Sequence, residues 1–261
     1  MAVGGDAAGS VVARTARGDG LRAAAPRSHP RDGASRGTSA TTVARPARSS
    51  ALARLEPDMS TTYRSLLLFG PPGVGKGTQG ARLGAEAGYV HLATGDIFRS
   101  LDKQTPEGQE FLKYSTQGLL VRDELTMRIW ASHVKKMIAG GQYDPERDVL
   151  VLDGMPRSLE QAKALEDHIE PLGILSLVVP DEDEMVRRIL KRGEASGRPD
   201  DLDEATIRRR FDEYREKTAP VLAHYDPALV HEIDGMGTID EVFVRVKEAA
   251  DKSRAGFLTE A

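Results

Sequence analysis

The chain has 261 residues, 39% of them hydrophobic and 29% charged, with a formal net charge of −4 and no cysteine. This balance suits a globular protein with a sizeable core, and it gives no electrostatic case for nucleic acid or a membrane as the main partner. Disulfides and thiolate metal sites are excluded, and no apolar run approaches the roughly 20 residues that a membrane-spanning helix needs.

The composition breaks near Met59. Before it the basic residues are all arginine, from Arg14 to Arg54, and the first lysine of the chain is Lys76. Alanine, glycine, serine and threonine fill most of the rest without apolar periodicity, so little surface is available to offset the entropy of ordering. Residues 1–58 are therefore expected to form a disordered N-terminal extension. An organelle-targeting segment would be Arg- and Ser-rich, a reading weakened by Asp6, Asp19 and Asp32. A secretory signal lacks its apolar stretch. The favoured reading is an upstream translation start, with Met59 opening the functional chain; organelle targeting stays open beside it.

From Arg64 onward strands alternate with helices. Ser65–Phe69 reads as a strand and Lys76–Ala87 as a helix, followed by a strand at Tyr89–Leu92 and turn chemistry at Ala93–Asp96. Helices are expected at about Asp96–Leu101, Pro106–Thr116 and Asp123–Ile138. Asp148–Leu152 carries the continuous apolar run of a central strand. Then come a helix at Ser158–His168, a strand at Ile174–Val179, and a helix at Glu182–Lys191. A polar, helix-breaking stretch, Arg192–Asp201, precedes a long helix at Asp203–Thr218. A strand at Leu229–Ile233 and a helix at Ile239–Asp251 complete the order. This alternation predicts an α/β fold, a parallel sheet flanked by helices, with ligands at the carboxyl ends of the strands.

Three sets of residues fall at those ends. Gly70–Gln79 reads GPPGVGKGTQ, four glycines around one lysine between a strand and a helix. Successive backbone N–H groups, a helix N-terminus and the Lys76 ammonium together suit a bound polyphosphate. The spacing G-x-x-x-x-G-K fits Gly70, Gly75 and Lys76, but Gly77 stands where Ser or Thr usually follows the lysine, and Thr78 comes one later. Asp153, ending an apolar strand, suits a carboxylate that holds magnesium through water. After it, Gly154-Met155-Pro156-Arg157 makes a turn that aims a guanidinium into the cleft, where a planar fork matches phosphate. The third set is Thr94-Gly95-Asp96-Ile97-Phe98-Arg99. Two further stretches are Gly118–Glu124 and the Gly-bearing Arg192–Asp201, which has the character of a mobile lid. Ile207, Phe211 and Tyr214 form an apolar stripe that leaves Arg210 on its flank, better placed for a cleft than Arg208 or Arg209. Trp130, Val134 and Met137 read as core. His91 reads as a satisfied buried histidine rather than a ligand, and the acidic run Asp181–Glu184 as a helix start.

These motifs, in this order from about Leu66 to Val246, resemble those of adenylate kinases within the nucleoside monophosphate kinases. The resemblance implies a P-loop NTPase type of sheet, with a mobile acceptor-binding helical region at about residues 93–122 and a short lid at about 191–201, all within one domain at 59–261. It implies reversible phosphoryl transfer from ATP to AMP, giving two ADP. Gly73, Val74, Gly75, Lys76, Gly77 and Thr78 would hold the ATP phosphates, Arg192 would face ATP, and the backbone of Gly237 would meet its adenine. Thr94, Arg99, the backbone of Leu119, Leu120 and Val121, Gly154, Met155, Pro156, Arg157 and Gln161 would bind AMP, with Arg198 and Arg210 reaching phosphates on the acceptor side. Lys76, Arg157, Arg192, Arg198 and Arg210 would stabilise the transferring group, and magnesium would be held by Asp153 through water. A cytoplasmic monomer acting on free nucleotides is the corresponding expectation, with neither nucleic acid nor membrane as partner.

The chain departs from that pattern in three places. Met155 replaces the usual Phe, Arg122 stands where Pro or Thr is common, and the short lid has no cysteine. A uridylate–cytidylate kinase is the nearest rival; there the positions of Thr94 and Gln161 are typically Ala and Asn, and this chain has no Asn. A non-catalytic nucleotide-binding protein is the rival from another class. A guanine-reading switch with its Asn-Lys-x-Asp motif is impossible here, and a degenerate kinase would have lost some of the six phosphate-site cations that this chain retains.

Overall fold

The computed structural model describes residues 62–258. The expected disordered extension and the Met59 start lie outside the described residues. Five strands form one parallel sheet in the order β2-β3-β1-β4-β5. They are β1 (Tyr63–Phe69), β2 (Tyr89–Ala93), β3 (Val149–Asp153), β4 (Ile169–Val178) and β5 (Val230–Asp234). Around them lie α1 (Lys76–Leu83), α2 (Thr94–Ser100), α3 (Pro106–Ser115), α4 (Asp123–Ala139), α5 (Leu159–Leu165), α6 (Glu182–Ser196), α7 (Glu204–Glu213) and α8 (Ile239–Leu258).

The central strands are apolar on both faces because both faces are covered. Leu66, Leu68, Val149, Val151, Leu175 and Leu177 point to one side and pack with residues of α1, α6, α7 and α8. Leu67, Phe69, Leu150, Leu152 and Ile174 point to the other and pack with residues of α2, α4 and α5. Trp130, Val134 and Met137 lie in this second cluster, as expected of core residues.

Several boundaries differ from expectation, each for a local reason. Strand β4 starts five residues early, at Ile169 rather than Ile174, and its pairing with β1 shifts between Ser65 and Leu66. Pro171, which has no N–H to give the ladder, lies at that shift. Helix α1 stops at Leu83, short of Ala87; Gly84 follows directly against β2, where an added Cβ would sit 2.6 Å from His91 Cβ. Thr94–Asp96 is the first turn of α2 rather than a separate turn. Helix α6 continues through Arg192 to Ser196, so the break falls at Gly197, with φ +65°, and not at Arg192. A short turn, Pro199–Asp201, then leads to Asp203, whose side chain caps α7. The long helix expected to Thr218 ends as regular α-helix at Glu213 and widens into one π-type turn at Tyr214–Thr218.

Glycines seat α1 against the sheet. A Cβ built on Gly80 would lie 2.5 Å from His91 Nε2 and 2.8 Å from Leu68 Cδ1. Gly80→Ala is therefore expected to destabilise the protein by about 1–3 kcal/mol through overpacking, although alanine is the better helix former by about 1 kcal/mol. Chemical denaturation of the two proteins checks the sign.

Candidate functional site

The strand register brings the predicted residues to one edge of the sheet. Asp153 pairs with Leu68 on one side and Ala93 on the other. The glycine loop after β1, Thr94 after β2 and the Asp153 carboxylate thus leave the sheet side by side. This crevice, where chain connections diverge to opposite sides of β1, is the expected ligand position in such a sheet.

The loop geometry depends on glycine. At Gly70, φ is +137° and an added Cβ would lie 2.5 Å from the Leu177 carbonyl oxygen; at Gly73, φ is +81° and the corresponding atom would lie 2.9 Å from that of Met185. Lys76 Nζ curls back and donates to the carbonyls of Gly70, at 2.6 Å, and Pro71, at 3.0 Å.

Two cavities open from this crevice. The first is lined by Thr94, Arg99, Leu119, Leu120, Val121, Gly154, Pro156, Arg157, Gln161 and Arg210, together with Lys76. The second is lined by Gly73–Thr78, Asp153, Arg157, Arg192, Arg198, Arg210 and Gly237. Every predicted site residue except Met155 therefore lines a cavity. Lys76, Arg99, Arg157 and Arg210 line both. The expectation for Met155 is corrected as far as its side chain goes: it is 1% exposed and packs in the second core cluster, lining neither cavity. An apolar core position explains why Met can stand in place of Phe. The Met155–Pro156 peptide is cis.

In the first cavity Thr94 is 3% exposed and its Oγ1 has no hydrogen-bond partner. Gln161 lies 2% exposed near the start of α5; its Oε1 accepts from Arg157 N at 2.8 Å and its Nε2 donates to Asp123 Oδ1 at 2.7 Å. Phe98 and Phe111 stack nearby, with ring centroids 5.5 Å apart. Thr218, in the π-type turn, donates its hydroxyl to the Arg157 carbonyl and so ties that turn to the cavity wall. Arg122 lies outside the cavity and makes a bidentate pair with Glu110, joining α4 to α3. That pair gives the unusual arginine a structural role.

Charge crowding dominates where the cavities meet. Burial lowers Lys76 to about 8, helped by the Arg157, Arg210 and Arg192 guanidiniums against the opposing pull of Asp153. Burial also lowers Arg157, with Arg210 and Arg99 adding repulsion. Burial alone would raise the Asp153 carboxyl, yet His91, Lys76 and Arg157 hold it below the usual carboxylate range. His91 is a correction to the expected satisfied histidine: its Nε2 makes no hydrogen bond and lies 3.6 Å from Asp153 Oδ2.

Asp201 and Asp96 pair with several of these cations. The Asp201 side chain is fully buried; it receives Arg192 Nε at 2.7 Å and Nη2 at 2.9 Å, and Arg210 Nη1 at 2.7 Å. Asp96 Oδ1 receives Arg99 at 2.5 Å and lies 3.5 Å from Arg198, linking α2 to the turn after α6. Arg188, one helical turn before Arg192, also lines the second cavity and was missed; the i, i+4 spacing of two arginines on α6 was the available signal. Arg208 and Arg209 are exposed; Arg208 pairs with Asp183 and Glu204, and Arg209 reaches the Gln117 carbonyl. Among the described residues no group of three or more His, Asp or Glu side chains could hold a metal ion, and no helix is long and apolar enough to cross a membrane.

The Lys76 shift has a defined sign. A folded lysine that releases its proton near 8, against 10.5 unfolded, burdens the fold while it is charged, and stability climbs as pH rises between those values. Lys76→Met is expected to raise the melting temperature of the ligand-free protein by a few degrees at pH 7, with the advantage shrinking by pH 10. Thermal melts across that range check it.

Comparison with known proteins agrees with this geometry. The family model described as adenylate kinase matches residues 68–229. The adenylate kinase of Thermus thermophilus is 38% identical over 193 residues, covering 71% of this chain and 96% of the relative. That of Nocardia farcinica is 42% identical over 190 residues, covering 70% and 97%. That of Flavobacterium johnsoniae is 38% identical over 193 residues, covering 72% and 98%. With two cation-lined cavities at the strand ends and relatives matched along almost their whole length, the chain belongs to the adenylate kinase family.

Proposed function

We propose that the second cavity takes ATP and the first takes AMP, and that the cations between them carry the reversible transfer of the terminal phosphoryl group, giving two ADP. Family membership establishes the reaction. The observation that carries the residue assignment is the sharing of Lys76, Arg99, Arg157 and Arg210 by both cavities. A group passing between two phosphate chains needs its charge neutralised at the point of transfer, and the shared cations supply that neutralisation without a covalent intermediate.

In this reading the loop Gly73–Thr78 binds the ATP phosphates through backbone N–H groups, and Lys76 leaves its own loop carbonyls for phosphate oxygens. Arg192 faces the ATP side and Gly237 lies against its base, while Arg198, expected to reach phosphates on the acceptor side, lines the second cavity rather than the first. Arg99 and Arg157 hold the AMP phosphate, Arg210 bridges both, and the walls from Leu119 to Val121 and from Gly154 to Arg157 enclose the acceptor. An unpartnered Thr94 hydroxyl and the Gln161 amide support adenine there rather than a pyrimidine. The AMP phosphate oxygen attacks in line, and closure of the segment at about 191–201 keeps water from competing. No general base is assigned.

Asp153 fits magnesium. It is held ionised, lines the second cavity beside Lys76 and Gly77, and is one carboxylate rather than a full protein cage, as suits an ion that arrives on phosphates and keeps its water. When bound, the ion would neutralise charge on the phosphates of ATP.

The same proposal takes residues 59–261 as the catalytic unit, acting as a cytoplasmic monomer. A chain beginning at Met59 is expected to keep full turnover and thermal stability; loss of either would make the preceding residues part of the folded enzyme.

ADP formation from ATP should be measured with AMP, CMP, UMP and GMP at equal concentration. AMP is expected to be much the best acceptor, and Arg157→Ala to lower kcat by about 100- to 1,000-fold. Faster turnover with CMP or UMP would overturn the acceptor assignment.

A further inference from the structure

We infer that Asp123 is a specificity-positioning residue: it fixes which way round the Gln161 amide faces, and thereby selects a 6-amino over a 6-oxo purine at the acceptor base. This inference rests on the reading of the first cavity as the AMP site.

The placement of Gln161 begins at the start of α5. Ser158 caps that helix, its Oγ accepting from Gln161 N at 3.1 Å, and Gln161 folds back so that Oε1 accepts from Arg157 N. This arrangement is a capping box in all but the exact partner, and it accounts for the amide oxygen alone. A glutamate would serve it equally well. The amide nitrogen needs a separate account, because its partner, Asp123 Oδ1 at 2.7 Å, comes from the first turn of α4, 38 residues away.

The two partners have opposite polarity. The Arg157 N–H can only donate, and an ionised carboxylate can only accept. One orientation of the Gln161 amide satisfies both. The flipped orientation sets N–H against N–H and oxygen against carboxylate, in a residue that is 2% exposed.

Each amide atom then has one capacity left, a lone pair on Oε1 and an N–H on Nε2, in a residue that lines the cavity. An amide so fixed offers acceptor and donor together. Adenine answers with its N6 amine as donor and a ring nitrogen as acceptor, the complement that lets Gln read adenine in two bonds. Hypoxanthine and guanine carry a carbonyl oxygen at position 6 and an N–H at N1, the reverse polarity. They would bind only if the amide flipped, which Asp123 opposes together with the Arg157 N–H. The unpartnered Thr94 hydroxyl can rotate to donate or accept, so it carries no such discrimination.

The test is the selectivity between AMP and IMP, taken as the Ki of IMP, competitive with AMP, divided by the KM for AMP. Asp123→Asn keeps the shape but can donate as well as accept, and Asp123→Ser keeps a residue suited to a helix start. Both are expected to lower the selectivity about tenfold, chiefly through a higher KM for AMP and a lower Ki for IMP, with the KM for ATP within about twofold. In a Gln161→Ala background Asp123→Asn should have no further effect on selectivity. If Gln161→Ala collapses the selectivity while both Asp123 variants keep it, the inference is overturned and the acceptor site stands. If Gln161→Ala leaves the selectivity intact, the placement of the acceptor base fails, and the inference with it. A helix-start role alone would lower melting temperature and kcat for every acceptor without changing selectivity, and would also overturn it.

Discussion

The structure depends on one electrostatic constraint: Lys76, Arg157 and Arg210 are held together at the junction of two cavities although they repel one another. A cluster of cations in a part-buried crevice costs free energy unless anions enter it. Groups of the chain itself offset part of that cost. Asp153 faces Lys76 and Arg157, while Asp201 takes Arg192 and Arg210, and loop carbonyls take the Lys76 ammonium. These partners are few for so much positive charge. Phosphates, which bring several negative charges and many acceptor oxygens, complete the set.

The rest of the fold exists to hold that junction. A parallel sheet buried on both faces supplies rigid strand ends, and its register sets Asp153 between the first strand and the second. Glycines admit a loop that no Cβ would allow. Helices α6 and α7 deliver Arg192 and Arg210 from the far side, joined through one buried carboxylate. Asp201 sits on the turn between those helices and so ties both arginines to that turn.

Much of this was legible in the sequence because it is local. The glycine loop, the apolar run ending at Asp153, and the turn carrying Arg157 each announce themselves within ten residues. Arg210 could be told from Arg208 and Arg209 because a helical stripe fixes its direction. What stayed hidden was pairwise and distant. Nothing in the neighbourhood of Asp123 says that it will meet Gln161, and nothing in Gly197–Asp201 says that Asp201 rather than Asp200 will be the fully buried carboxylate. The end of α6 was misjudged because Gly193 resembles a breaker in sequence. In the structure it lies inside the helix, where an added Cβ would come 2.7 Å from the Asp201 carbonyl. Met155 was placed at the ligand by its position in a motif, whereas packing turned its side chain into the core.

The central claim is that the two cavities form one continuous site whose shared cations serve both phosphate chains at once. Equilibrium binding of a single ligand in which two adenosines are joined by a chain of five phosphates tests it most directly. One ligand should bind per protein molecule, far more tightly than ATP, and should displace both ATP and AMP, with most of that gain lost in Arg210→Ala. Binding of two such ligands per chain, or of one no tighter than ATP and unaffected by added AMP, would contradict the account.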